Sequence, residues 1–496
     1  MQHPIKSIRQ AGVPLACFET TDPKVTITET IAALNGAADE YSIMKWDIVR
    51  GLVGINKLGK ATVKNIAPDG PIQTGNPTEC LALLGDKAPA NTLCFFMNAQ
   101  KFIANETVSQ AVWNLRDVWK TNGSMLIMLA PSLTLPAELQ HDVVVVTEDL
   151  PSAKQLTEMA DTVISAASAK IDDKEKVVDT LLGMSAFAAE QCLSMSFVKK
   201  DDKISIDNEI LWSRKSKMIE QTPGLSVWKG KGSFDEIGGL SNIKTYLTDL
   251  LTSDRNPVRC IGFIDEIEKM FSSASQGDTS NVSQDQLRVF LTEMQDNNIP
   301  GMILIGPPGT GKSAIAKGAG AVSGAEVLSI DPGAMTGSLV GESQAKIRKA
   351  MATFKAVSQG KGLFIATCNK IASLPPELRR RFSLGTFFVD LPDATERASI
   401  WKLWLKKYDL KDTKLPDDEG WTGAEIRACC DVAWRTGKSV IAAADFIVPV
   451  CKSAAAQIED LRKQASGRFI SASKPGVYQV AEETETEKTV KRKINL

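Results

Sequence analysis

Histidine is almost missing from this chain: His3 and His141 are the only two in 496 residues. The nine cysteines are scattered, with no C-x-x-C pair among them. The usual Cys/His sets for structural zinc are therefore excluded, and a reduced, cytoplasmic compartment is expected. No apolar run approaches the ~20 residues that a membrane-spanning helix needs. The opening MQHPIKSIRQ lacks the apolar core of a secretory leader, so no membrane partner is expected. Excess charge is lacking too, since 58 Lys and Arg nearly cancel 59 Asp and Glu. Without a basic stripe interleaved with aromatics, nucleic acid is not indicated as a ligand. The length suffices for two or three domains with substantial cores.

What is present is concentrated between residues 234 and 430. Met302–Ile305 reads as a short buried strand. Gly306-Pro307-Pro308-Gly309-Thr310-Gly311-Lys312-Ser313 follows, a complete G-x-x-x-x-G-K-[ST] phosphate loop. Glycines let the backbone curl so that N–H groups point at phosphate oxygens, and the next helix adds its positive N-terminus. Lys312 can then reach the β/γ-phosphates of ATP, and Ser313 can ligate Mg²⁺. A chance match would lack the flanking strand and helix, which are both present. A second apolar stretch, Cys260–Ile264, ends in Asp265-Glu266. Asp265 is a candidate for holding Mg²⁺ through water, and Glu266 for polarising the attacking water.

Seven segments together resemble the AAA family of ATPases, including its plastid and cyanobacterial AAA-domain proteins and phage-encoded relatives. They are FDEIGGL (234–240), FIDEIEKMF (263–271), GPPGTGKS (306–313), SLVGES (338–343), ATCN (366–369), LPPELRRRF (374–382) and TGAEI (422–426). The resemblance implies that Ile237, Gly238, Gly423 and Ala424 contact the base and that Asn369 is a sensor beside the γ-phosphate. It implies that Arg380 and Arg381 reach a neighbouring subunit's ATP, with Arg379 competing with Arg380 for the first of these positions. A solvated basic turn is the plainer alternative for this cluster. Family members that thread polypeptide carry an aromatic residue where Leu339 stands, which weakens a threading mechanism. Family members also place the Asp-Glu strand after the phosphate loop. Here the Asp-Glu block (258–298) precedes the phosphate-loop block (299–361). A rewired chain is expected to build the ordinary sheet all the same, because the strands concerned are near neighbours roughly 5–10 Å apart.

Residues 1–200 alternate strands with helical stretches: Val13–Glu19, Ser42–Val49, Thr92–Met97, Met125–Leu129 and Val143–Thr147 read as strands, and Glu106–Trp119 as a helix, with 1–152 taken as the first domain. MLIMLAP (125–131), LPAEL (135–139) and VVVVTEDLP (143–151) parallel LFIATCN (363–369), LPPEL (374–378) and TFFVDLP (386–392). This suggests a degenerate copy of the ATPase module, two generic strand–turn pairs being the alternative. The copy has no phosphate loop and carries Met97-Asn98 in place of Asp-Glu, so it is not expected to hydrolyse ATP.

The expected fold is α/β: a three-layer αβα P-loop NTPase domain (233–392) with a C-terminal helical lid (393–465), preceded by the degenerate P-loop-like α/β domain. A helical lid-like segment (153–220) and a linker (221–232) join the two, and a flexible tail (466–496) ends the chain. Ser241 is expected to cap a helix, Ser272–Asp285 to form a loop, and Arg427 is left as a plain exposed residue. The expected function is Mg-ATP hydrolysis by a homo-oligomer, a hexameric ring being favoured, that remodels a protein or nucleoprotein assembly. The alternative is a nucleotide-dependent assembly scaffold in which hydrolysis is incidental. The client cannot be named from sequence.

Overall fold

The structure, a computed structural model, describes residues 4–34, 37–68, 74–169, 171, 173–200, 203–230, 232–270, 281–331, 333–335, 342–371, 374, 376–412 and 414–480. The chain divides into two compact units, Met1–Leu211 and Trp212–Leu496. The division falls inside the helix Asn208–Ile219.

The first unit is built on β1 (Leu15–Glu19), β2 (Ser42–Asp47), β3 (Gly51–Gly54), β4 (Thr92–Met97), β5 (Met125–Ala130) and β6 (Val144–Thr147), in spatial order β3-β2-β4-β5-β1-β6. All pairs are parallel except β2–β3. Central strands of such a sheet are covered on both faces and read as unbroken apolar runs. Met125–Ala130 does so and is buried throughout, and clusters around Trp46 and Phe96 on one face and Phe18 and Phe95 on the other form the core. The expected strand Ser42–Val49 is cut short. The Asp47 carboxylate accepts the N–H groups of Val49 and Arg50, turning the chain back into β3. The segment after Ser152 is helical as expected, except for an antiparallel hairpin, β7 (Phe197–Lys200) with β8 (Lys203–Ile206).

The second unit contains β9 (Leu225–Val227), β10 (Cys260–Ile264), β11 (Gly301–Ile305), β12 (Glu326–Ile330), β13 (Gly362–Cys368), β14 (Thr386–Phe388) and β15 (Ile470–Ser471), in spatial order β15-β14-β11-β13-β10-β12-β9. Only β9 is antiparallel, on β12. Apolar clusters cover both faces, one around Phe354 and Phe364, the other around Phe263 and Leu304. Helices Ala394–Lys407, Gly423–Thr436, Val440–Ala444, Val450–Ser453 and Ala455–Ala465 follow, several of them around a small core of Trp401, Trp421 and Ile426.

The two sheets share one pattern. Read from one side, β6-β1-β5-β4-β2-β3 corresponds to β14-β11-β13-β10-β12-β9: five parallel strands, then an antiparallel strand at the far edge. The first unit enters its strands in the order β1, β2, β4, β5, β6. In the second, the strand in the position of β4, which is β10, comes ahead of β11, the strand in the position of β1. Both β10 and β11 flank β13, so exchanging their order moves each entry by only a strand or two.

Three expectations need correction. The 221–232 segment expected as a linker supplies β9, whose alternating Leu225 and Val227 are buried. The expected tail supplies β15, with Phe469 and Ala472 buried beside it, while residues 481–496 lie outside the described residues. Ser241 does not cap its helix: Leu240 occupies the cap in a left-handed conformation, and the Ser241 hydroxyl donates to the Ser473 carbonyl, 2.8 Å away. The expected loop at 272–285 lies outside the described residues up to 280, and the helix Asn281–Asp296 has begun by 281.

Candidate active site

The phosphate loop connects buried β11 to the helix Lys312–Ser323. Gly306 lies so close to the next segment that a Cβ would meet the Val389 carbonyl at 2.0 Å. Gly309 and Gly311 have φ of +81° and +95°, which side-chain-bearing residues rarely adopt. Thr310 donates its hydroxyl to the Pro307 carbonyl at 2.8 Å, tightening the turn with Pro308 at its bend. The helix that follows leaves its first N–H groups without intrahelical partners, the ordinary basis of an anion site. Lys312 is only 6 % exposed, and its Nζ donates to the carbonyls of Gly306 (2.8 Å) and Pro307 (2.6 Å). Burial pushes its pKa down to about 8, against the opposing pull of Cys368, Glu268, Asp265 and Glu266.

β10 delivers Asp265 beside the start of this helix. One Asp265 oxygen accepts the hydroxyls of Ser313 at 2.9 Å and of Thr367 at 2.6 Å. Glu266 has a φ of 51°, a left-handed conformation that costs a non-glycine residue roughly 1–3 kcal/mol. Its N–H donates to the Thr367 hydroxyl at 2.9 Å. Its carboxylate accepts the Asn369 amide at 3.1 Å and pairs with Lys269. The sheet thus brings Ser313, Asp265, Glu266 and Asn369 together. Thr367, which binds both acidic residues, was missed. Its signal was the two-residue alternation that puts it on the same side as Asn369.

These groups border a cavity of about 350 Å³, which extends past the phosphate loop to Ile237, Gly238, Ile400, Trp404, Gly423 and Ala424. Gly238 lies against Ile400. Thr422 and Glu425 form a reciprocal capping box at the start of the helix Gly423–Thr436. The Ala424 N–H donates to the Gly309 carbonyl at 3.2 Å, tying that helix to the phosphate loop. Arg427 also lines the cavity, its guanidinium 5.2 Å from the centre of the Trp404 ring. Arg379 is half-buried and Arg380 and Arg381 are exposed, all on the helix Pro376–Arg381, and none of the three lines the cavity. Leu339 lies outside the described residues.

The donors suit a hard divalent cation: a hydroxyl and a carboxylate, with room beside the phosphate loop for a ligand's own oxygens. Among the described residues, no three or more His, Cys, Asp or Glu gather to hold a metal by themselves. A Mg²⁺ ion here would need phosphate oxygens and water to fill its shell. Among the described residues no helix is long and apolar enough to cross a membrane.

A phosphate-loop sequence on a parallel strand, with a carboxylate at the end of the next strand but one, fits the P-loop NTPase fold. Residues 302–359 match the family profile described as ATPase family associated with various cellular activities (AAA), and residues 1–148 match that of the SpoVK-like AAA ATPase, N-terminal domain. The uncharacterised AAA domain-containing protein ycf46 of Trieres chinensis is 24 % identical over 440 residues, 78 % of this chain and 79 % of that one. The protein of the same name from Pyropia yezoensis is 23 % identical over 500 residues, 88 % and 92 % of the two chains. Among solved structures, a FIGL-1 AAA domain matches at 17 % identity with a TM-score of 0.31, covering 50 % of this chain and 93 % of that chain. The profile matches make residues 1–148 and 302–359 similar to segments of AAA ATPases, and the relatives extend that similarity over most of the chain at 23–24 % identity.

Proposed function

We propose that this chain hydrolyses Mg-ATP in the cavity beside Lys312 and couples the cycle to remodelling a protein or nucleoprotein assembly, as a ring oligomer. The observation that carries the reading is the hydrogen-bonded set Ser313–Asp265–Thr367–Glu266–Asn369, which joins the ends of β10 and β13 to the helix that follows the phosphate loop. In this reading the N–H groups from Gly309 to Ser313, with the Lys312 ammonium, bind the phosphates. Asp265 and Ser313 would hold Mg²⁺, which supplies charge neutralisation when bound. Glu266 takes a proton from the attacking water, and Asn369 orients that water. Ile237, Gly238, Gly423 and Ala424 enclose the base. Arg380 and Arg381 act on a neighbouring subunit's nucleotide. Steady-state phosphate release that responds to a captured client tests the whole reading.

The scaffold alternative has one observation in its favour. Glu266 is engaged by both Lys269 and Asn369, and a general base held this way turns over slowly until released.

The first unit is, in this reading, a degenerate copy serving recognition or ring packing. Support comes from the turn after β1, where the phosphate loop of the second unit has its counterpart. It holds carboxylates rather than a cradle of N–H groups. Glu19 accepts the Leu133 N–H at 3.1 Å and the Thr147 hydroxyl at 2.8 Å, and Glu148 accepts the Thr26 hydroxyl at 2.7 Å. Burial, with Glu29 and Asp22 nearby, raises the Glu148 pKa. Carboxylates placed there disfavour a triphosphate. Calorimetric titration of the full chain should therefore find one saturable Mg-ATP site per chain, and Lys312→Ala should remove it. A second micromolar site surviving Lys312→Ala would contradict the assignment.

Lys312 gives a pH dependence with a definite sign. With a free-state pKa of about 8, it is largely neutral above that pH. Phosphates stabilise its charged form, so nucleotide binding takes up a proton there. ATP affinity should fall as pH rises through about 8, by at most about tenfold per pH unit. Titrations at pH 8.5 in buffers of different ionisation enthalpy would detect the uptake, and Lys312→Arg should abolish it.

A further inference from the structure

We propose that Glu268, a residue outside the motif roles assigned above, is a positioning residue that sets the hydrolytic geometry through Asn369; the proposal rests on the ATP-hydrolysis reading of the same site. Glu268 lies on the short 3₁₀ segment Ile267–Met270 that follows β10, and it is only 9 % exposed. One of its carboxylate oxygens accepts the backbone N–H of Asn369 at 2.9 Å. The other is buried and makes no hydrogen bond of ordinary geometry among the described residues, though the carboxylate lies close enough to the Cys368 thiol to raise its pKa. A buried carboxylate with one unsatisfied oxygen is costly, and an apolar residue there would fill space at less expense. What the carboxylate does in return is hold one atom. Asn369 is the residue past the end of β13, where the ladder no longer holds the backbone, and the Glu268 acceptor takes over that role. The Asn369 side chain then donates to Glu266 at 3.1 Å. Glu268 thus acts on the general base at one remove: it fixes the backbone of Asn369, whose amide orients Glu266. It touches neither base nor phosphate, so it should affect nucleotide binding only weakly, through its pull on the Lys312 ammonium, which Glu268→Gln and Glu268→Met remove alike.

The test uses the full chain and Mg-ATP. Glu268→Met fills the buried volume but removes the acceptor. It should lower kcat by about 10–100-fold, the usual scale for a group that orients a reacting one, with ATP Kd within about threefold of wild type. Glu268→Gln keeps an acceptor oxygen of the same reach and should recover most of that loss. Asn369→Ala should also lower kcat, and adding Glu268→Met to it should cost little more, because both act through one group. A merely structural role would lower the melting temperature and weaken ATP binding together with kcat, and its effect would multiply with that of Asn369→Ala. Wild-type turnover from Glu268→Met, or full multiplication in the double variant, overturns the proposal. So does a Glu268→Gln chain as slow as Glu268→Met, since the charge and not the acceptor would then matter. Absence of turnover in the wild type itself would instead remove the ATPase reading, a result separate from any of these.

Discussion

Arg381→Ala is expected to leave ATP binding largely intact and to lower turnover by about 10³-fold or more, the scale of an arginine finger supplied in trans. The reason is positional. Arg381 is exposed at the end of the helix Pro376–Arg381 and is not among the residues that line its own chain's cavity. An exposed guanidinium away from its own site can reach charge developing on a phosphoryl group only in a neighbouring subunit. Arg380→Ala should follow the same pattern if Arg380 is the second finger. Mixing supplies the sharper test. Arg381→Ala chains retain intact phosphate loops, and Lys312→Ala chains retain intact arginines. In a random equal mixture about a quarter of head-to-tail interfaces would pair a working loop with a working arginine. Two inactive preparations should therefore regain activity on mixing. Full activity from a protein that sediments as a monomer, or no recovery on mixing stable co-assemblies, would remove the shared-site reading.

The parts of this site that could be read from sequence are those where local backbone chemistry dictates residue type. Gly309 and Gly311 are glycines because their φ angles are positive, Gly306 because the Val389 carbonyl leaves no room for a Cβ. Asp265-Glu266 could be read because a fully buried apolar run ends abruptly in two carboxylates. What could not be read depended on chain segments distant in sequence. β9 and β15 have three and two residues, too few for any periodicity, and only pairing with β12 and β14 makes them strands. Thr367 and Glu268 are ordinary polar residues in sequence. They become part of the site only when β10 and β13 lie side by side in register, Ile264 beside Ala366. Arg427 is exposed as expected, but its place in the cavity wall could not be read, because its neighbour Trp404 is 23 positions away on another helix. The block order matters less than it first seems. Strand order is decided by pairing and burial rather than by sequence of entry, and Ser313 still meets Asp265 at 2.9 Å.

Glu266→Gln separates hydrolysis from its use. The substitution keeps the size of the side chain and an oxygen to accept the Asn369 amide, but it cannot take up a proton and it loses the ion pair with Lys269. General-base assistance is typically worth about 10²–10⁴-fold, so phosphate release should fall by that factor while ATP remains bound. Lys312→Ala should fail differently, because it removes the cation nearest the phosphates and so should weaken binding itself and any assembly that depends on it. The two variants together distinguish the remodelling and scaffold readings. A remodelling machine locked by Glu266→Gln holds its client and does not release it, so affinity capture with this variant should enrich the client over wild type. A scaffold needs only bound ATP, so the same variant should assemble and function normally, and only Lys312→Ala should be defective. Wild-type turnover from Glu266→Gln would remove Glu266 from the chemistry. A catalytically dead Glu266→Gln protein that still releases its client would leave hydrolysis without a task, and the ring would then have to be understood as a structure that ATP holds together.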